Sequence, residues 1–390
     1  MTVEFFDLAQ RLYARQAGRP VLRMAQSLFT VAADAVCVDA HRDGDTVVAT
    51  VCGSGSSSRT IRGGAAVLAA LHTAGARFGG DTPCQLIIAD PSTLAVLVGA
   101  ARTLCGDGDP AVAEASAVVG WWQDRTGYPG TGAVVELLAH SRQRYITAGT
   151  PDDERTVAHW RRTLGIGSGV QGLGAWAAAV GVGERLASLE PVIEDDAYTY
   201  GMAGASFAKG GDWTKPDSAP GAALGLRRRC NAAELWESVL LEDRLWRHRG
   251  VHTGHVAGGV TVGRDSTRFM VACERMDSRL REGASVRGWI NGVDSFDRAW
   301  PFVGEVTATE AVDGTLHLTV AGVRAEAQPR DGEWVTLMPA APQPQRVNSA
   351  LYSYRRLLMR SDSWIASGRT PSMSRRDVPL DVLIAAAERE

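Results

Sequence analysis

Lysine is nearly absent: only Lys209 and Lys215 occur among 41 basic residues, so arginine carries almost all of the positive charge. With 43 glycines and many alanines and valines, this reads as the bias of a GC-rich genome. Arginine abundance alone therefore does not point to phosphate binding. No two cysteines have the C-x-x-C spacing of a zinc or redox motif. Cys37, Cys52, Cys84, Cys105, Cys230 and Cys273 lie far apart and read as free thiols. No apolar run reaches the ~18 residues of a membrane span. The opening MTVEFFDLAQRLYARQ places Glu4 and Asp7 among its apolar residues and lacks the order of a secretory signal. A cytoplasmic protein without membrane contact is expected. The net charge of -3 excludes a polycation that coats nucleic acid through its overall charge, so an electrostatic partner must be met by a local patch.

What is present is organisation. The 390 residues, 45% hydrophobic and 22% charged, suit a globular chain of two or three domains. Residues 4–30 carry apolar positions at roughly helical spacing, broken at Gly18 and Pro20, and predict two short helices. AVCVDA, TVVATVCG and SRTIRG then read as three strands, and 64–78 as a helix. CQLIIAD reads as a strand buried on both faces, followed by a helix from Pro91. This gives a mixed α/β domain over 1–150 and a helical segment over 151–195. Residues 196–230, rich in Gly, Ser, Pro and Ala, read as a linker or loop. NAAELWESVLLEDRLWRHR is an amphipathic helix, and 251–338 are β-like. A helix-plus-β domain over 231–340 and a basic helical tail over 341–390 complete the chain.

The β region contains an internal repeat. Gly258, Val260, Thr267, Val271, Arg275, Arg281, Gly283 and Val286 correspond to Gly304, Val306, Thr315, Val320, Arg324, Arg330, Gly332 and Val335. The offset drifts from 46 to 49, and both copies share an R-(E/D)-G-x-x-V turn into a final strand. The expectation is a duplicated, barrel-like region, packed as one closed barrel or as two in tandem.

Asp39 lies within the first strand and Asp90 ends the fourth. Three strands, a helix, a fourth strand ending in Asp and a further helix resemble the ribonuclease H-like fold over residues 30–105. That family holds two divalent metals with carboxylates on the first strand, the first helix and the end of the fourth strand. The resemblance implies Asp39 and Asp90 as ligands of Mg or Mn in a nuclease. It fails at the helix, where Gly63-Gly64-Ala65-Ala66 replaces the glutamate, with Glu136 as a compensating carboxylate. A degenerate copy without cofactor follows. As an alternative to metal binding, Asp90 caps the next helix beside Ser92.

The Gly-rich stretches at 53–59 and 165–174 do not read as a Walker loop or a dinucleotide fingerprint, and Gly181 and Gly183 in AVGVGERLASL resemble a single turn of the helix-hairpin-helix that grips DNA backbone. His248, His252 and His255 crowd a predicted helix-to-strand junction beside Arg247 and Arg249. They read as a polar junction more readily than a metal site. Basic and aromatic residues interleave most clearly near the C-terminus: Arg346, Arg355, Arg356, Arg360, Arg369, Arg375 and Arg376 against one acid, Asp362, with Tyr352, Tyr354 and Trp364 among them. Guanidinium groups that hold phosphates beside rings that stack on bases suit single-stranded nucleic acid. Arg227, Arg228 and Arg229 form a second basic run, and Trp289, Phe296, Trp300 and Phe302 a possible stacking surface. The expected function is a non-enzymatic DNA- or RNA-binding subunit of a larger complex. The alternatives are a metal-dependent nuclease and a scaffold that binds only protein subunits.

Overall fold

The computed structural model describes residues 5–53, 58–80, 82–217, 219–298 and 300–341. The chain divides into two units, 1–215 with 229–343 and 216–228 with 344–390. In the second unit the described residues are helical from Ala219.

The first unit opens with helix α1 (Phe5–Ala17) and the short strand β1 (Val21–Leu22). Gly18 takes φ 63° and Pro20 follows, which ends the helix. The second helix expected before residue 30 is therefore absent, and Met24 and Leu28 are buried from an irregular segment. Strands β2 (Val36–Asp43), β3 (Thr46–Cys52) and β4 (Arg59–Arg62) form an antiparallel meander. Helix α2 (Gly64–Ala74) leads to β5 (Leu86–Ile88), then α3 (Pro91–Thr103), α4 (Pro110–Arg125) and β6 (Val134–Glu136). The sheet order is β4-β3-β2-β5-β6, with β5 parallel to both β2 and β6.

Alternation sorts the sheet's side chains onto two faces. Val36, Val38, Leu86, Ile88 and Val134 share a core with α2, α3 and α4. Ile87 and Val135 face the other way, into a core with Phe29, Trp160 and Trp176. That second layer comprises α5 (Leu137–Arg144), β7 (Tyr145–Ile146), α6 (Val157–Thr163) and α7 (Gln171–Val180).

The stretch 196–230, expected as a linker or loop, is largely helical. Helix α8 spans Glu190–Ala208 and α9 spans Ala219–Leu240. The predicted helix beyond residue 231 breaks after Leu240 and restarts as α10 (Arg244–His252). Asp243 makes the break by accepting from Trp246 N at 3.0 Å, and it also accepts from Gln26 N at 2.7 Å.

The β region consists of β8 (Ala257–Arg264), β9 (Arg268–Cys273), β10 (Ser285–Ile290), β11 (Phe302–Val312), β12 (Thr315–Ala321) and β13 (Trp334–Pro339). All pairings are antiparallel, and the order β10-β11-β12-β9-β8-β13 closes on itself because β13 pairs β10. Both copies of the repeat thus share one six-stranded barrel. Each contributes a hairpin and a third strand, and that third strand pairs with the first strand of the other copy.

The pairing corrects the alignment of the first strands. Val335 pairs Gly259 where Val286 pairs Gly304, and Gly332 N donates to Thr261 O where Gly283 N donates to Val306 O. Gly304 therefore matches Gly259 and not Gly258, and Val306 matches Thr261 and not Val260. The offset on this strand is 45, and it becomes 49 across the hairpin turn. A one-residue slip exchanges the inward and outward faces. With the corrected register, buried Ala257 and Thr261 match buried Phe302 and Val306. The later correspondences, Val271 with Val320 and Val286 with Val335, agree with the pairing.

Candidate functional site

The parallel strands β2, β5 and β6 bring three acids to one end of the N-terminal sheet. Val36 and Cys37 pair with Leu86 and Ile87, and Ile88 pairs with Glu136. Asp90 and Glu136 consequently lie at or just past the carboxyl ends of β5 and β6, while Asp39, in mid-strand on β2, lies level with the residue that follows β5. Open α/β sheets commonly bind ligands in this position.

The three carboxylates differ in setting. Asp90 precedes Pro91 in extended conformation and accepts from Ser92 N at 2.8 Å and from the Ser92 hydroxyl, so it serves as the N-cap of α3. Asp39 is exposed opposite Thr50 and alternates with Cys37 onto the face of the second core. Glu136 alternates with Val134 onto the face of the first core. It is half-buried at the start of α5 without a side-chain capping bond. Its pKa is raised by burial and by repulsion from Asp90, with Arg142 opposing.

This arrangement does not fit a two-metal centre. Asp39 leaves the sheet on the opposite face from Glu136, the Asp90 carboxylate is engaged by Ser92, and α2 begins with Gly64-Ala65-Ala66. Among the described residues no group of three His, Cys, Asp or Glu side chains is placed to hold a metal ion.

The raised pKa of Glu136 gives a signed prediction. The proton favours the folded state, so this contribution is complete below the ordinary glutamate value and is lost as pH rises through the raised one. Glu136→Gln should therefore raise stability at pH 7 by a few tenths of a kcal/mol, allowing for solvent screening. The gain should fade towards pH 4. Urea titrations at the two pH values test this, and an equal effect at both would refute it.

The other candidates separate. His248 Nε2 lies 2.9 Å from Asp294, His252 stacks on Phe6 at 5.0 Å, and His255 Nδ1 lies 2.8 Å from the Thr253 hydroxyl. The histidine cluster is a junction, with each ring engaged separately. Trp289 and Phe302 are buried in the barrel region, and Phe296 packs edge-on against Trp289 at 5.1 Å. Trp300, 95% exposed, is the one member of the expected stacking surface that faces solvent.

Arg229 donates to Asp124 at 2.8 Å, and Arg227 and Arg228 immediately precede it on α9. The turn at 165–174 offers carbonyls to a cation: Arg161 donates to Gly167 O and, at 3.1 Å, to Gly169 O. That polarity is opposite to a phosphate cradle. Gly181 N donates to Ala177 O at 2.7 Å and ends α7. In the 53–59 stretch, Ser58 accepts from Gln171 at 3.0 Å and residues 54–57 lie outside the described residues. Arg346, Tyr352, Tyr354, Arg355, Arg356, Arg360, Trp364, Arg369, Arg375 and Arg376 also lie outside them. Neither a family model, nor a curated protein, nor a solved structure matches this chain.

Proposed function

We propose that this chain is a non-enzymatic nucleic-acid-binding component in which a degenerate ribonuclease H-like sheet serves as scaffold. The sheet order carries the reading. Three antiparallel strands are followed by a helix and a fourth strand that lies parallel to the first, with an aspartate just past its end. This neighbourhood of first and fourth strands is where the family's metal-binding carboxylates have to meet. Here the carboxylates diverge, which favours binding over cleavage. Nucleic-acid contact is assigned to the arginine and aromatic pattern of residues 346–376, where the local charge reverses the sign of the whole chain.

Fluorescence anisotropy with labelled single-stranded DNA, duplex DNA and RNA across a salt series tests this reading. Affinity should fall steeply with salt, and Ala at Arg355, Arg356, Arg375 and Arg376 should lower the log–log slope by about 0.7 for each lost contact to a single strand. Unchanged affinity in that variant would remove the assignment to the tail. A parallel gel in Mn²⁺ compares the parent with Asp90→Asn, and cleavage by the parent alone would establish the nuclease alternative instead.

A further inference from the structure

Arg144, the last residue of α5, is 4% exposed, yet among the described residues no carboxylate meets it. Its Nη2 donates to Val182 O at 2.7 Å, while Nε and Nη1 are buried without a hydrogen-bond partner. Arg125, fully buried, is paired with Asp195 and Asp196, the half-buried Arg11 and Arg23 are paired with Glu154 and Asp7, and the buried Arg247 donates to three backbone carbonyls, of Val293, Leu241 and Glu242. A guanidinium taken out of water with one neutral acceptor is strongly unfavourable, so Arg144 calls for a counter-charge from outside the fold.

Arg144 lines a groove of about 680 Å³ between α1 and the β1–β7 pair. This is the size of a small-molecule site. Arg19 lines the same groove, is exposed, and has no ion pair among the described residues. Val21 and Leu22 supply an apolar wall, with Leu22 40% exposed and Val182 57% exposed. Gln10 donates to Leu22 O at 3.4 Å, and its Oε1 is buried and unpaired. The groove thus combines two uncompensated positive charges with an apolar wall, a pattern that selects an amphipathic anion.

We infer that this groove binds a small anion with a carboxylate or phosphate head on an apolar body. The head lies at Arg144 and Arg19, and the body lies against Val21 and Leu22. Charge-assisted bonds to a guanidinium give the head its preference, and the wall gives affinity through buried apolar area.

Isothermal titration of the full chain with octanoate, octyl phosphate and octanol tests the inference. At least one of the two anions should bind saturably at one site, with octanol about tenfold weaker or worse. The tighter anion identifies the head. Arg144→Gln should weaken the anion about tenfold. Since that residue also holds Val182, Leu22→Asp provides a second variant at an exposed position, and it should abolish binding while retaining the parent's unfolding temperature. Absence of saturable binding by both anions would overturn the inference. So would octanol binding as tightly as the anions, or unchanged binding in a folded Leu22→Asp protein.

Discussion

Arg125→Met is expected to lower the unfolding free energy by about 3–5 kcal/mol, the usual cost of removing one partner of a buried ion pair. Arg125 is fully buried at the end of α4, where it donates to Asp196 at 2.6 Å and to Asp195 at 2.8 Å and stacks on Tyr128 at 4.1 Å. Asp196 also accepts from the Thr131 hydroxyl at 2.9 Å and from Gly132 N at 2.7 Å. Those two residues open the turn into β6, and Ala133 O then accepts from Leu86 N at 2.8 Å. The cluster therefore fixes α4, α8 and the entry to β6 at once, and with them the position of Glu136.

Burial raises the Asp196 pKa even against the pull of Arg125. Its proton favours the folded state, fully so below the ordinary aspartate value and less as pH rises through the folded one. Without Arg125 that folded value climbs further, so the deficit of Arg125→Met should be largest at neutral pH and shrink in acid. Asp196→Asn added to Arg125→Met should recover part of the loss, because the uncompensated charge is then gone. Urea unfolding at pH 7 and pH 5 reads both effects. A deficit below about 1 kcal/mol at pH 7, the value of an exposed pair, would show that the cluster is not buried in solution.

Much of the N-terminal sheet was legible because its signals are local. The Leu86-Ile87-Ile88 run is buried on both faces, and Asp90 followed by Pro91 is a helix start that needs no tertiary context. Strand β6 was missed because three residues between two helices give too short a period to read. Residues 196–208, most of helix α8, read as linker for a different reason. The helix has few buried residues, among them Val192, Asp196 and Tyr200, so it shows almost no apolar stripe. It packs instead through small residues and polar bonds: Gly204 lies against Phe78, and the Tyr200 hydroxyl donates to Arg77 O at 2.5 Å.

The candidate site was legible in identity but not in direction. Asp39, Asp90 and Glu136 were all visible, whereas the faces they occupy follow from strand register, which composition does not report. Arg125 and Arg144 carried no warning, since one buried arginine among so many has no local signature. Their meaning comes from which carboxylates the fold brings near them.

Gly259→Ala should destabilise the protein by about 3 kcal/mol or more, while Gly258→Ala, one residue away, should cost less than about 1 kcal/mol. A Cβ on Gly259 would run into Ala272 O and lie 2.8 Å from Cys273 Cα, both backbone atoms of the paired strand β9. Moving them means parting β8 from β9 where the barrel is closed. Gly304 occupies the matching place in the second copy, where a Cβ would lie 2.7 Å from Ala321 O. A Cβ on Gly258 meets instead the Trp334 ring at 2.9 Å, and that side chain is 36% exposed and free to swing outward. The two substitutions therefore separate the alignment read from sequence, which matches Gly258 with Gly304, from the register set by strand pairing. Equal losses for the two variants in urea unfolding would contradict the pairing. A large loss at Gly259 and at Gly304 with a small one at Gly258 would show that the two copies close the barrel by the same device: a glycine whose missing side chain lets each copy's hairpin strands meet while its other edge takes the third strand of its mate.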